Sequence, residues 1–208
     1  MRLAIFASGN GSNMEAITQA VDSGTIPADL VLCVTNNPNA GVIARADAHE
    51  VPISILQPSD FQDRDAYVQT LLDTLMRHRV NFVALAGYMV KIPPAVVRAF
   101  EDRMLNIHPA LLPAFGGKGM YGHHVHEAVL EYGVRWTGVT VHIVDNDYDH
   151  GPVVLQEPVE VRQDDTPDSL AARIHPVEHR LYPEAIRLFA KGLVAVDGRT
   201  VTISEEQS

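Results

Sequence analysis

IFASGNGSNMEAI, residues 5–17, passes from apolar residues through a polar, glycine-rich loop into a helical pattern, which predicts a strand, a tight turn and a helix. The polar loop contains Gly9, Gly11, Ser12 and Asn13. Backbone N–H groups at such a helix amino terminus favour an anion. The loop lacks the third glycine of a dinucleotide fingerprint and the lysine of a Walker loop, so neither cofactor class is indicated. It predicts a phosphate site, with a plain helix-capping turn as the alternative.

Short apolar runs alternate with amphipathic segments through the first half of the chain. The runs RLAIFAS, LVLCVT, PISIL, FVALAG and MLNI are separated by predicted helices over residues 13–21, 41–49, 65–77 and 94–100. Nearly continuous apolar runs are typical of strands that are buried on both faces of a sheet. The sequence therefore predicts an α/β fold: a Rossmann-like, mostly parallel twisted sheet with helices on both faces.

The second half of the chain has a different pattern. Two β-rich runs, GVTVHIV and VVLQEPVEV, are joined by the polar segment DNDYDHGP, which predicts strands that complete the sheet around a long loop. Residues 167–191 predict one long helix, with Thr166 as its cap and Pro167 in its first turn. The segment VAVDGRTVTI predicts a hairpin that turns at Asp197 and Gly198.

Length and composition favour one globular domain over residues 1–208. The chain is 46% hydrophobic and 20% charged, as ordinary globular proteins are. Its formal net charge of −10 disfavours a nucleic-acid partner. We expect no membrane association and a cytoplasmic location, because the sequence has neither a long apolar run nor a signal-peptide pattern. The one cysteine, Cys33, lies in an apolar run and is predicted to be a small core residue.

MLNIHPALLPAF, residues 104–115, places Asn106 and His108 two positions apart at the end of an apolar strand. Alternate strand positions share one face, so both side chains are expected to point at one spot beyond the sheet's carboxyl edge. An amide N–H and a protonated imidazole can stabilise an oxyanion there. His108 would need its pKa raised by a nearby carboxylate. The acidic loop at residues 145–152 is the predicted source, although a solvated turn would explain each of its aspartates singly.

Several histidines invite a metal interpretation, but the pattern does not support one. His123, His124 and His126 open a predicted helix, on which adjacent histidines diverge, and no cysteine accompanies them. We therefore expect no metal. His142 lies inside the run GVTVHIV and is predicted to be a hydrogen-bonded core histidine.

Five segments together carry a family resemblance: ASGNGSN, LAGYMVKI, NIHPALLPAF, GVTVHIVDNDYDHGPVVLQ and EHRLYP. In this order, and across essentially the whole chain, they resemble the phosphoribosylglycinamide formyltransferases. The resemblance implies transfer of the formyl group of 10-formyltetrahydrofolate to the amino group of N1-(5-phospho-D-ribosyl)glycinamide in de novo purine (IMP) biosynthesis. It also implies a catalytic trio. Asn106 and His108 would act as oxyanion partners, while Asp149 would raise the pKa of His108 and help to move the proton.

The resemblance further implies binding residues and an organisation of the chain. Gly11, Ser12 and Asn13 match the family's phosphate loop. Glu178 matches its ribose contact, and His175 stands where relatives often carry a polar neutral residue. The implied folate residues are Arg64, Met89, Val90, Lys91, Ile92, Asn106, Asp145, Asn146, Asp147, Tyr148 and Asp149. The implied parts are a nucleotide-binding half, a folate and catalytic half, and a hairpin with a tail, at residues 1–100, 101–190 and 191–208.

The partners implied are small-molecule substrates, with the protein a monomer or homodimer. Three other interpretations compete with this one. Formyltetrahydrofolate deformylase resembles the chain around the same Asn, His and Asp, but it uses water as acceptor and usually carries a preceding domain. Methionyl-tRNA formyltransferase needs an added RNA-binding domain, which an acidic chain of this length does not suggest. A non-catalytic nucleotide-binding module would explain the glycine-rich loop but not the Asn-His-Asp combination.

Overall fold

The computed structural model describes residues 1–206, so residues 207 and 208 of the predicted tail lie outside the described residues. In chain order its elements are β1 (Arg2–Phe6), α1 (Ser12–Asp22), β2 (Asp29–Thr35), α2 (Val42–Ala48), β3 (Ile53–Ile55), a 3-10 turn (Pro58–Asp60), α3 (Arg64–Arg77), β4 (Phe82–Leu85), α4 (Pro94–Ala99), β5 (Met104–His108), α5 (His123–Tyr132), β6 (Trp136–Ile143), β7 (Val153–Glu160), α6 (Pro167–Ala190), β8 (Val194–Asp197) and β9 (Thr200–Ile203).

Within residues 1–206, seven strands form one sheet in the order β3-β2-β1-β4-β5-β6-β7, and β8 and β9 form a separate hairpin. This confirms the predicted α/β class with a mostly parallel sheet. The chain divides into two compact units, Met1–Leu105 and Asn106–Ser208, with the boundary inside β5. Among the described residues, no helix is both long and apolar enough to cross a membrane.

In the first unit the strands pair in parallel. β1 lies between β2 and β4, and β2 pairs with β3. The side chains from Leu3 to Phe6 are fully buried, which explains why this strand reads as a continuous apolar run. Cys33 is also fully buried, as its prediction as a core residue requires. The chain leaves β1 toward β2 and later returns on the other side at β4, so the strand order reverses between β1 and β4. Open α/β sheets bind ligands at such a reversal point.

In the second unit β6 and β7 pair antiparallel. The long helix α6 begins as predicted. The Thr166 side chain accepts a hydrogen bond from Ser169 N, the Ser169 hydroxyl accepts one from Thr166 N, and Pro167 occupies the first turn. The predicted hairpin of β8 and β9 is present, but its turn lies one residue later than predicted, at Gly198 and Arg199, because Asp197 still pairs with Thr200.

Candidate active site

The glycine-rich loop of the first unit leaves the start of α1 without a side-chain cap. Gly11 is the N-cap residue, with φ 75° and ψ 26°, and no side chain caps the helix. The alternative prediction, a turn whose Ser12 or Asn13 merely caps the helix, is therefore wrong. The Asn13 Oδ1 atom is buried with no hydrogen-bond partner among the described residues. A half-turn of that amide would place Nδ2, a donor, where Oδ1 now lies.

The loop after β4 lies beside the loop after β1. Ser8 N donates to the Gly87 carbonyl at 3.0 Å, and the Ser8 hydroxyl accepts from Met89 N at 2.8 Å. Of the two apolar residues implied for folate contact, Met89 is half exposed, whereas Ile92 lies in the core of its unit with 6% of its surface exposed. Of the two, Met89 is therefore the one that exposes apolar surface.

The other implied folate residues of this unit lie at its surface. Lys91 is exposed and Val90 is partly buried. Arg64 is exposed at the first position of α3, directly after Asp63, whose carboxylate caps that helix by accepting a hydrogen bond from Ala66 N.

In the second unit β5 presents Asn106 and His108 to one carboxylate oxygen. Asn106 Nδ2 lies 3.3 Å from Asp149 Oδ1, and His108 Nδ1 lies 3.7 Å from the same atom. The acidic loop is fixed behind Asp149 by a tight corner. A Cβ at Gly151 would collide with the Ile143 carbonyl oxygen, and Ile143 N donates to Pro152 O at 2.8 Å. The corner therefore holds the carboxylate opposite the end of β5.

The segment at residues 115–117 clamps both members of the His-Asp pair through its backbone. His108 Nε2–H donates to the Phe115 carbonyl at 2.8 Å, and Gly117 N–H donates to Asp149 Oδ2 at 2.9 Å. Because a carbonyl only accepts, the first bond fixes the proton of a neutral His108 on Nε2. The ring nitrogen left to gain or lose a proton is therefore Nδ1, the one that faces Asp149.

His142 is a member of this site that the sequence analysis placed only in the core. It is buried and hydrogen-bonded, as predicted, with Nδ1–H donating to the Ile143 carbonyl at 2.9 Å. Its Nε2 is then the acceptor for Asn106 Nδ2, at 3.1 Å. The two amide hydrogens of Asn106 are thus directed at His142 and Asp149. The sequence signal for this role was a single histidine in a strand of apolar residues and threonines, because a buried imidazole needs a hydrogen-bond partner.

The pKa of His108 differs from the expectation. Burial lowers the pKa of His108, the Asp149 carboxylate and the Phe115 carbonyl raise it, and the net direction is downward. Asp149 does raise the pKa of His108, as the resemblance implies, but desolvation outweighs the ion pair, so the net shift does not favour a cation near neutral pH. Burial raises the pKa of Asp149, but His142, His108 and the Gly117 N–H together bring it below its usual value. The resting pair is a neutral imidazole and a carboxylate.

Three of the four other residues of the acidic loop that are implied for folate contact lie at the surface. Asn146, Asp147 and Tyr148 are exposed. Asp145 is partly buried, accepting from Asp147 N at 2.9 Å and pairing with His150 Nδ1 at 2.7 Å. Asp149 is the one aspartate of this loop that the structure turns toward Asn106 and His108.

The three histidines of α5 diverge. His123 and His124 are exposed; His123 Nε2 lies 3.4 Å from Glu127 Oε1, and His124 Nδ1 lies 3.3 Å from Glu127 Oε2. His126 is buried, and its Nδ1 has no hydrogen-bond partner among the described residues. Burial, followed by the neighbouring His175, lowers the pKa of His126 to about 4. No three His, Cys, Asp or Glu side chains within residues 1–206 are grouped so as to hold a metal ion.

The two residues implied for ribonucleotide binding on α6 differ in exposure. His175 is exposed, and its ring stacks on that of His179 with 6.3 Å between centroids. Glu178 is 93% buried, at 7% exposure, on the same helix. His126 of α5 lies close enough to His175 of α6 that the charge of His175 contributes to the lowered pKa of His126.

An amide, an imidazole and a carboxylate that meet at one point can stabilise an oxyanion and relay a proton. The fold and this site therefore define a Rossmann-like α/β protein equipped for acid–base chemistry at a carbonyl carbon. The family model described as formyl transferase matches residues 1–186. The chain belongs to the formyl transferase family, in its phosphoribosylglycinamide formyltransferase branch.

Individual relatives agree with this placement. Phosphoribosylglycinamide formyltransferase of Bacillus subtilis is 38% identical, over 89% of this chain and 93% of that relative. The chloroplastic phosphoribosylglycinamide formyltransferase of Arabidopsis thaliana is 44% identical over 89% of this chain, which spans 64% of that longer protein. The crystal structure of glycinamide ribonucleotide transformylase 1 from Symbiobacterium toebii superposes with a TM-score of 0.93 at 38% identity, covering 99% of this chain and 94% of that one.

A formyltetrahydrofolate deformylase from Pseudomonas syringae also superposes, with a TM-score of 0.88 over 98% of this chain and 66% of that one. At 21% identity, that likeness shows the shared fold alone.

Proposed function

We propose that this chain transfers the formyl group of 10-formyltetrahydrofolate to the amino group of N1-(5-phospho-D-ribosyl)glycinamide in de novo purine biosynthesis. The products are the N2-formyl ribonucleotide and tetrahydrofolate. The observation that carries the proposal is the approach of Asn106 and His108 to the single oxygen Oδ1 of Asp149, in a member of the formyl transferase family. The other residues of the site supply orientation.

The resting protonation states give the proton a route. Attack of the amine on the formyl carbon places negative charge on the formyl oxygen and leaves a surplus proton on the amine nitrogen. His108 starts neutral, with Nε2–H held by Phe115, so Nδ1 takes that proton. Asp149 stabilises the resulting imidazolium from 3.7 Å. The same proton then passes to the folate nitrogen as the bond between it and the formyl carbon breaks, directly or through water.

Asn106 stabilises the oxyanion by exchanging a hydrogen bond. Its amide hydrogens are directed at His142 Nε2 at 3.1 Å and at Asp149 Oδ1 at 3.3 Å. The longer of these bonds is the one to exchange for the oxyanion. His142 keeps the amide oriented while that happens, because its own tautomer is fixed by the Ile143 carbonyl.

The ribonucleotide phosphate is assigned to Gly11, Ser12 and Asn13. The uncapped start of α1 and the unpartnered Asn13 amide oxygen support this assignment. His175 and Glu178 are assigned to the remainder of the ribonucleotide. The formyl folate is assigned to Arg64, Met89, Val90, Lys91, Ile92, Asn106, Asp145, Asn146, Asp147, Tyr148 and Asp149. A cytoplasmic location, a monomer or homodimer, and chemistry without a metal remain parts of the proposal.

The test follows loss of the formyl group from 10-formyltetrahydrofolate by absorbance, with and without the ribonucleotide. Turnover only with the ribonucleotide supports the proposal. Equal turnover without it would mean that water is the acceptor, as in a deformylase. Silence in both conditions, together with binding of the ribonucleotide, would leave a nucleotide-binding module. Asn13→Ala should raise the KM for the ribonucleotide much more than the KM for the folate.

A further inference from the structure

The amino-terminal half of α2 lies against the phosphate loop, residues 9–13, and contacts its backbone. Arg45 Nε donates to the Asn10 carbonyl at 2.8 Å, and Val42 N donates to the Gly9 carbonyl at 3.0 Å. These carbonyls belong to the two residues that precede the N-cap Gly11. The helix therefore holds the loop from the side of its carbonyl groups, which leaves the N–H groups of the following residues for a ligand.

Close packing fixes the distance between the helix and the loop. A Cβ at Gly11 would lie 2.7 Å from Val42 Cγ2, and a Cβ at Gly41 would lie 3.0 Å from Asn10 Oδ1. Gly11 also has a φ of 75°, which favours glycine. The loop therefore has little freedom to approach α2 more closely, and the hydrogen bond from Arg45 keeps it from moving away.

Arg45 also neutralises a carboxylate near the amino terminus of α1. Glu15 lies in the first turn of α1, where its charge would repel a bound phosphate. Its carboxylate is paired with Arg45 Nη1 at 3.1 Å and with His49 Nε2 at 3.2 Å. Burial raises the pKa of Glu15, but the hydrogen bonds from His49 and Arg45 lower it overall, so the carboxylate is ionised and paired.

We propose that Arg45 is a positioning residue for the phosphate loop, and that it acts without touching the substrate. The inference rests on the proposed function, because it takes residues 11–13 as the site of the ribonucleotide phosphate. Arg45 fixes the carbonyl of Asn10, which orients the N–H groups that follow it, and it neutralises Glu15 beside them. Loss of Arg45 therefore weakens the ribonucleotide complex and leaves the chemistry at His108 unchanged.

The experiment compares KM values and kcat for Arg45→Met, Arg45→Lys and a matched control, Arg77→Met, which removes an exposed arginine of α3 in the same unit. Arg45→Met should raise the KM for the ribonucleotide on the order of tenfold, the loss expected for a charge-assisted hydrogen bond. Its kcat and its KM for 10-formyltetrahydrofolate should stay within about twofold of the parent. Arg45→Lys should show a smaller rise, since an ammonium cannot serve both partners as the guanidinium does. Arg77→Met should match the parent.

A double variant separates position from charge. Arg45→Met combined with Glu15→Gln removes the uncompensated carboxylate but leaves Asn10 unheld, so the KM for the ribonucleotide should remain raised. A return to the parental KM would overturn the positioning role and leave only charge compensation. Thermal unfolding of each variant checks that the protein remains folded; if Arg45→Met is unfolded, the same comparison is made with Arg45→Lys.

The failure of this inference is distinguishable from failure of the proposed function. If Asn13→Ala raises the KM for the ribonucleotide and Arg45→Met does not, the positioning role is wrong and the phosphate loop stands. If neither variant changes that KM, or if the parent turns over without the ribonucleotide, the assignment of the loop or of the reaction is wrong.

Discussion

Removing the imidazole of His126 should change how the stability of the protein depends on pH. The side chain is 3% exposed, and burial brings its pKa from 6.5 to about 4, with the neighbouring histidines His175, His123 and His108 adding to the effect. Above the unfolded pKa both states are neutral and the residue has no effect. As the pH falls, the unfolded chain takes up the proton first, so the free energy of unfolding decreases until the folded pKa is passed.

The size of the effect follows from the two pKa values. The difference between 6.5 and about 4 corresponds to a maximum of about 3 kcal/mol. Between about pH 7.5 and pH 4.5, where most of the titration takes place, the loss is about 2 to 3 kcal/mol. That is a large fraction of the stability of an ordinary domain.

The assay is urea unfolding of the parent, of His126→Gln and of a control, His124→Gln, at both pH values. His124 lies on the same helix but is exposed. Each protein serves as its own reference, so the cost of the substitution itself cancels when the two pH values are subtracted. The parent and the control should lose about 2 to 3 kcal/mol more than His126→Gln. Equal losses in all three proteins would refute the reasoning, because they would show that His126 has a similar pKa in both states.

Three further predictions concern the active site. Asn106→Ala and His108→Asn should each reduce kcat by about a hundredfold or more while the protein stays folded, and near-normal turnover would contradict the assigned role. Gly11→Ala should lower stability by about 1 to 2 kcal/mol and raise the KM for the ribonucleotide, because it forces a residue with a side chain into the left-handed backbone region against Val42. Thermal unfolding and steady-state kinetics measure the two effects, and parental values in both would contradict the prediction. The pH profile of kcat/KM should be flat at neutral pH and fall on acidification, because neutral His108 and ionised Asp149 are the reactive forms and both pKa values are lowered. A rate that rises on acidification below pH 6.5, the ordinary pKa of histidine, would show instead that the protonated imidazole is required.

Much of the fold was predictable because burial leaves a direct pattern in the sequence. Strands covered on both faces read as continuous apolar runs, and the helix over residues 64–77 was predicted to within one residue at its start. The cap at Thr166 was equally visible, because a threonine before a proline and an amphipathic run has few other uses.

Only the side-chain groups of the site could be predicted from the sequence. Strand alternation predicted that Asn106 and His108 share a face. It could not identify the carbonyl of Phe115 or the N–H of Gly117, because every residue has these groups. The direction of the His108 pKa was missed for a related reason. A neighbouring carboxylate can be guessed from composition, but the depth of burial that outweighs it depends on the packed structure.

The support for Arg45 was also hidden in the sequence. Thirty-five positions separate Arg45 from Asn10, and the hydrogen bond between them exists only because α2 folds back against the loop after β1. A charged residue on an amphipathic helix is ordinarily solvated, so its sequence position gave no reason to single it out.

The central claim is that the formyl carbon moves from the folate to the amine of the ribonucleotide. The most direct test supplies 10-formyltetrahydrofolate labelled with carbon-13 in the formyl group and follows that carbon by NMR in the presence of N1-(5-phospho-D-ribosyl)glycinamide. The label should appear as the formamide of the ribonucleotide in step with the release of tetrahydrofolate, and His108→Asn should suppress both. Labelled formate in place of the formamide would contradict transfer to the amine.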